Sequence, residues 1–199
     1  MIKLKQLYRA VGDLKSGRNL GDAAILKADA LGSRCAPEVE ARLEGVRGYL
    51  PSIDTEALKA LPEGSFGRTY ALYMESNKLS PFAVSPGLEE VVRRNVFSVR
   101  YAVTHDIFHL LLGFDTTLAG EIGVLAFAAA QGYSRSLRTG LFLARVLYPL
   151  VAPRQIRAIR ANVKRGWALG ERAAFLLGVR FEERWETPLV AFKRELALA

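Results

Sequence analysis

Only two histidines occur in this chain of 199 residues, and His105 and His109 stand four positions apart. On a helix, residues at i and i+4 share one face with their Cβ atoms about 5–6 Å apart, so both imidazoles can reach one ion. A His-x-x-x-His pair of this kind builds helical metal sites. Around it, Ile107, Phe108, Leu110, Leu111 and Leu112 cover most of the helix circumference, which predicts burial on nearly every side. Imidazoles in such surroundings need hydrogen-bond partners or a metal. Asp106, about 100° round the helix from His105, can join the coordination or orient an imidazole from behind.

Glu121 is the second unusual residue. It is the only charge between Asp115 and Arg135, set among Leu118, Ile122, Val124, Leu125 and Phe127. A lone carboxylate there needs a partner cation or a raised pKa. The short link from Gly113 to Thr116 folds its helix back beside the histidine helix, so that Glu121 faces His109. Two imidazoles with one or two carboxylates suit Zn²⁺ first, with Fe²⁺, Mn²⁺ and Mg²⁺ as other occupants. The alternative is a metal-free His–Glu hydrogen-bond network. A His-Glu-x-x-His peptidase is disfavoured, because position 106 is Asp and there is no third, distal histidine.

The elements that must position these groups read as helices throughout. Helices are expected from Ile2 to Leu14 and from Leu20 to Leu31. A third runs from Pro37 to Arg47, followed by short pieces capped by Asp54 and by Ser65. The pattern then continues from Leu88 to Leu112 without a breaker, with Gly113 as C-cap. Further helices are expected from Thr117 to Gly132, from Ser134 to Pro149, from Pro153 to Leu177, and after Thr187-Pro188. No hairpin signal or internal repeat appears. The expectation is an all-α, single-domain helical bundle over residues 1–199, with a buried metal-site helix pair.

With 50% apolar residues the chain can bury a core, which excludes a disordered chain. One cysteine excludes a disulfide framework and a Cys-rich zinc module. Residues Met1–Lys5 show neither a signal peptide nor an import leader, and no apolar run approaches the ~20 residues of a membrane span. The expectation is a soluble or peripheral protein. The net charge of +8 is concentrated: ten basic residues and one acid, Glu171, lie between Arg135 and Arg180, leaving −1 for the rest. Arg154, Arg157, Arg160 and Lys164 are expected on one face of the helix from Pro153, opposite Ile156, Ile159, Val163, Trp167 and Leu177. That face points toward an anionic membrane or an acidic partner, or is merely solvated. Nucleic acid is disfavoured, since the aromatics fall on apolar faces. The apolar stretches Leu118–Ala130 and Leu137–Leu150 can line a lipid-tail tunnel or simply fill the core.

The run His105-Asp106, two residues, His109, eleven residues, Glu121 resembles the metal-ligand signature of the coenzyme Q (ubiquinone) biosynthesis "protein four" family. So does Leu61 to Met74, reading Leu-Pro-Glu-Gly-Ser-Phe-Gly-Arg-Thr-Tyr-Ala-Leu-Tyr-Met. Arg100-Tyr101, Gly113, Thr116, Gly120-Glu121, Gly166, Phe181-Glu182 and Arg184-Trp185-Glu186 are similar as well. The chain departs from the mitochondrial members at Ala102-Val103-Thr104, Leu125 and Ala128, and looks like a bacterial branch. The resemblance implies an all-helical protein whose metal ligands and catalytic residues fall on His105, Asp106, His109 and Glu121. It further implies a metal-dependent decarboxylase (a lyase) that removes the C1 carboxylate of a polyprenylated hydroxybenzoate, coupled to hydroxylation there. The alternative implied is a non-catalytic, prenyl-lipid-binding organiser of other quinone biosynthesis proteins. The implied location is cytoplasmic, peripheral on the inner face of the bacterial membrane, and a homodimer is left open.

Overall fold

The computed structural model describes residues 34–199 except Ala83 and Pro86, and before them Asp22, Ile25, Leu26, Ala28 and Asp29, which are helical. The helix expected from Ile2 to Leu14, and the reading of Met1–Lys5, lie outside the described residues. So does most of the helix expected from Leu20 to Leu31.

Ten α-helices with complete bounds follow: α1 (Pro37–Arg42), α2 (Thr55–Lys59), α3 (Phe66–Ser76), α4 (Glu89–Arg94), α5 (Val96–Val103), α6 (His105–Leu112), α7 (Leu118–Ala130), α8 (Arg135–Val151), α9 (Ile156–Arg172) and α10 (Leu189–Glu195). Among the described residues there is no β-strand, only an isolated bridge between Ser65 and Pro188. The protein is all-α. No helix among the described residues is long and apolar enough to cross a membrane.

Several starts follow the sequence. Asp54 accepts hydrogen bonds from the N–H groups of Glu56 and Ala57, and Ser65, Thr117 and Ser134 each cap their helix through the side chain. Three spans differ. Residues 88–112 form α4, α5 and α6 instead of one helix. Asn95 breaks the run because its Oδ1 accepts from the Ser98 N–H and restarts the chain as an N-cap. The run is interrupted again at Thr104, whose backbone leaves helical geometry (φ −102°, ψ 0°) while its hydroxyl donates to the Arg100 carbonyl at 2.7 Å. The helix expected to reach Leu177 ends at Arg172, where the Gln131 amide donates to the carbonyls of Gly170 and Ala173 and closes the last turn. Leu177 is therefore absent from the apolar face expected for that helix and sits in a short 3₁₀ turn, Leu176–Gly178. The helix from Pro37 stops at Arg42 and continues as a 3₁₀ turn.

The main core is aromatic at its centre, where Phe66, Phe108, Phe127, Tyr133, Phe181 and Phe192 are all buried. The C-terminal segment clasps the start of α3. The Phe66 and Gly67 N–H groups donate to the carbonyls of Thr187 and Trp185, both at 2.8 Å, and the Trp185 ring stacks on Phe66 and Tyr70. Motif residues more than a hundred positions apart in sequence thus meet in space.

Helix α7 is buried along most of its length and packs against α6, α8 and α9. Its contact with α9 depends on glycine. A Cβ on Gly166 would lie 2.2 Å from the Gly123 carbonyl oxygen, and one on Gly170 would lie 2.6 Å from that of Phe127. Only a residue without a side chain lets the two backbones approach this closely. Helix α8 packs through Leu141 and Ala144, against Ala119, Ile122, Ala126, Ala129 and Ile159.

Candidate metal centre

The centre is built on the αα-corner between α6 and α7. Gly113 ends α6 in the left-handed region (φ 66°, ψ 41°), and the Phe114 N–H returns to the His109 carbonyl at 3.1 Å. Asp115 Oδ1 then accepts from the Thr117 N–H and hydroxyl, and Thr117 Oγ1 accepts from the Gly120 N–H, starting α7. Gly120 is required because a Cβ there would meet the Asp115 carbonyl oxygen at 1.8 Å. This compact corner places Glu121, in the first turn of α7, opposite both histidines of α6.

Glu121 Oε1 lies 3.2 Å from His109 Nε2, and Oε2 lies 3.5 Å from His105 Nε2. The two imidazole centroids are 4.8 Å apart. One donor atom from each of the three residues falls within 4.8 Å of the others, a spacing that can hold a metal ion. His109 is buried (1% exposed), and its Nδ1 faces the Phe114 carbonyl at 3.2 Å. With Nδ1 carrying the proton, the Nε2 lone pair points toward Glu121. That Nε2 atom is buried and has no aligned hydrogen bond, although the carboxylate is near. A metal-ligating histidine has this arrangement, one nitrogen fixed by a carbonyl and the other left to the ion. The donor set therefore fits a divalent cation, and the fit with nitrogen and oxygen donors is closest for Zn²⁺, Fe²⁺ or Mn²⁺.

The electrostatics agree with one shared charge cluster. Burial opposes a charge on His109, but Glu121, the Phe114 carbonyl and Asp106 outweigh it and raise its pKa. His105 is lowered, by burial first and by His109 second, against the pull of Glu121. Burial also pushes Glu121 up, but the two histidines prevail and hold it below its ordinary value. The Glu121 side chain is 38% exposed, so one edge of the centre is open to solvent.

Asp106 is not among the three gathered residues. It follows His105 round the helix, and burial raises its carboxyl. Its charge acts on Tyr70 and Tyr73 of α3, which places it toward that helix. Two tyrosines border the centre that spacing did not reveal. Tyr101 sets its ring edge-on to His105, 5.8 Å between centroids. The Tyr73 hydroxyl is buried without a partner, and burial with Asp106 and Glu121 pushes its pKa up to about 12. Tyr73 lies inside the Leu61–Met74 motif, the one sequence signal that could have marked it. Arg100, on α5, is paired with Glu182. Arg154 lies in the 3₁₀ turn before α9, and Arg157, Arg160 and Lys164 lie on α9. All four are exposed, and no carboxylate among the described residues pairs with them.

An all-helical fold with a two-histidine, one-carboxylate group at a helix corner defines a candidate metalloprotein. The profile of the family "Coenzyme Q (ubiquinone) biosynthesis protein Coq4" matches residues 50–199. The chain belongs to this family. It is similar to the "Ubiquinone biosynthesis protein COQ4 homolog, mitochondrial" of Rattus norvegicus, 35% identical over 163 residues, 78% of this chain and 58% of that protein. The Bos taurus protein of the same name is 36% identical over 162 residues, with the same shares covered. The chain thus spans a little over half the length of these curated relatives. The fold is also that of a candidate ubiquinone biosynthesis protein from Nostoc punctiforme PCC 73102. That crystal structure matches with a TM-score of 0.70 and 22% identity, covering 98% of this chain and 96% of the other.

Proposed function

We propose that this protein acts in ubiquinone biosynthesis as a metal-dependent decarboxylase. In this reading it removes the C1 carboxylate of a polyprenylated hydroxybenzoate as CO₂ and leaves a hydroxyl on that carbon. The oxygen of the hydroxyl comes from water, and the two electrons pass to dioxygen, which leaves as hydrogen peroxide. The observation that carries the reading is the buried Nε2 of His109, 3.2 Å from Glu121 Oε1 without an aligned hydrogen bond, beside His105 in a group of three donors, in a chain of this family. His105, His109 and Glu121 would hold the cation, and Asp106, by rotation of its side chain, would add a fourth donor, a carboxylate oxygen. Bound there, a divalent metal supplies Lewis acidity that draws charge off the ring acid.

The protein's own groups account for the rest. The Phe114 carbonyl fixes the His109 ring through Nδ1–H. The solvent-open edge at Glu121 is where the ring enters. Tyr73 keeps its proton at neutral pH, so its hydroxyl is a hydrogen-bond donor beside the site, and the electron density that departing CO₂ leaves on the ring is stabilised by such fixed donors. Ile107, Phe108, Leu111 and Leu112, all buried, keep the inner side dry. Arg154, Arg157, Arg160 and Lys164 attract the protein to the anionic inner face of a bacterial membrane, where a prenylated substrate resides.

The test is release of labelled CO₂ from a prenylated hydroxybenzoate by metal-loaded protein with oxygen present. Wild type should release it and His109→Ala should not, while both still bind the prenyl tail, whose affinity follows buried apolar area. Tight binding of the acid by wild type without any CO₂ overturns the enzyme and favours the organiser of partner proteins.

A further inference from the structure

Helix α8 presents an apolar stripe to solvent. Phe142 is 66% exposed, Leu150 74% and Val151 73%, with Leu143, Val146 and Leu147 about half exposed beside them. Their positions (i, i+1, i+4, i+5, i+8, i+9) fall on one helix face. The opposite side of the same helix, Leu141 and Ala144, is committed to the core. Six contiguous apolar side chains on one face are more than the single exposed residues common on soluble surfaces.

The surroundings of the stripe are positive. Helix α8 itself contains Arg135, Arg138 and Arg145 and no acid. Arg145 stands at the edge of a groove of about 750 Å³ between α8 and α9, lined on the far side by Arg160, Lys164 and Trp167. The one acid of this region, Glu171, accepts a hydrogen bond from the Trp167 indole at 2.8 Å. Arg135, Arg145, Arg160 and Lys164 have no carboxylate partner among the described residues.

We infer that α8 is an interfacial helix: its stripe enters the headgroup–acyl boundary of a bilayer, and the flanking cations bind the anionic lipid headgroups. Such helices lie in the plane of the membrane with the apolar face buried about 5–10 Å. The inference deepens the charge tether stated above and rests on it only for the lipid's sign. A second copy of the chain is the poorer occupant. Pairing α8 with α8 would bring two sets of unpaired cations together with no acid on the helix to neutralise them, whereas an anionic bilayer supplies the missing charge.

Flotation with phosphatidylglycerol–phosphatidylcholine vesicles tests the inference, read together with quenching of Trp167 by bromine-labelled acyl chains. The double variant Phe142→Ser/Leu150→Ser alters only exposed side chains, and its fold is checked by thermal unfolding. Wild type should float with partial retention at high salt and show bromine quenching, and the double variant should partition at least about tenfold more weakly. The variant Arg160→Gln/Lys164→Gln should lose about fivefold per charge and only at low salt. Equal, fully salt-labile flotation of wild type and the apolar variant overturns insertion and leaves the charge tether standing. No flotation of wild type at low salt overturns both, with the metal reading untouched. Dimerisation without vesicles that disappears in Phe142→Ser/Leu150→Ser shows that a second copy covers the stripe, and overturns the inference.

Discussion

Arg100 and Glu182, 82 positions apart in sequence, meet in a buried ion pair with Nη1 3.1 Å from Oε1. The same guanidinium donates to the Val179 carbonyl. It ties α5, one turn before the metal helix, to the C-terminal segment that clasps α3. Arg100→Met leaves the Glu182 carboxylate buried without its partner, and should cost about 3–5 kcal/mol in urea unfolding. Arg100→Met/Glu182→Leu should recover most of that loss. A double variant as unstable as the single would show that the contact with Val179, and not the ion pair, matters.

Metal binding should depend on the three gathered donors. Zinc at about a hundred times its dissociation constant stabilises the folded protein by about 2.7 kcal/mol, which appears as a rise in Tm. His109→Ala and Glu121→Ala should remove that rise and the metal found by elemental analysis. Asp106→Ala should only weaken it, because its carboxylate stands outside the group. A wild-type protein without metal after growth and purification in zinc, and with no shift in Tm, contradicts the site.

The pH dependence has a defined sign. In the metal-free protein His109 is raised above 6.5, so its contribution to stability is full below 6.5 and is lost as pH rises through the folded value. Glu121 is held below 4.5, so its contribution is full above 4.5 and is lost as pH falls through the folded value. The pair therefore supports the metal-free fold best at mildly acidic pH. Metal needs the neutral imidazole, and proton competition at His109 begins above pH 6.5. The zinc-induced rise in Tm should be full near about pH 8 and fall away below about pH 6.5. A rise that does not vary over this range means that the imidazoles are not ligands.

Gly166→Ala should be severe for its size. The new methyl would meet the Gly123 carbonyl oxygen at 2.2 Å, and a backbone atom inside α7 cannot move aside. The expected loss is about 1–3 kcal/mol or more by chemical denaturation. Gly140→Ala, in α8 with nothing within 4 Å of the new methyl, should instead gain about 0.4–1 kcal/mol.

Much of the centre was legible because helical spacing and a short corner are local properties. His105 and His109 share a face on any helix, and a link of a few residues ending in a left-handed glycine brings Glu121 back to them. The breaks at Asn95 and Thr104 were not legible. Neither residue is a strong breaker: Asn95 acts by accepting the Ser98 N–H with its side chain, and Thr104 departs from helical dihedrals at a single residue that no sequence pattern marks. The end of α9 depends on Gln131, about forty residues earlier in the chain. The stretch Leu137–Leu150 was apolar enough to suggest core or a tunnel wall, yet half of it faces outward. Periodicity finds a helix face but does not say what covers it, and α8 has apolar residues on two faces. Tyr73 reaches the centre only through the packing of α3 on α6, which no local pattern encodes.

The glycine seats between α7 and α9 also make the two helices one mechanical unit. With Gly166 against the carbonyl of residue 123 and Gly170 against that of residue 127, α9 can neither roll nor slide without lifting off altogether. Glu121 stands two residues before the first seat, so a push on α9 from outside reaches the carboxylate through rigid backbone. Amide hydrogens of residues 122–130 and 166–170 should accordingly exchange with solvent as one cooperative block, opening together or not at all.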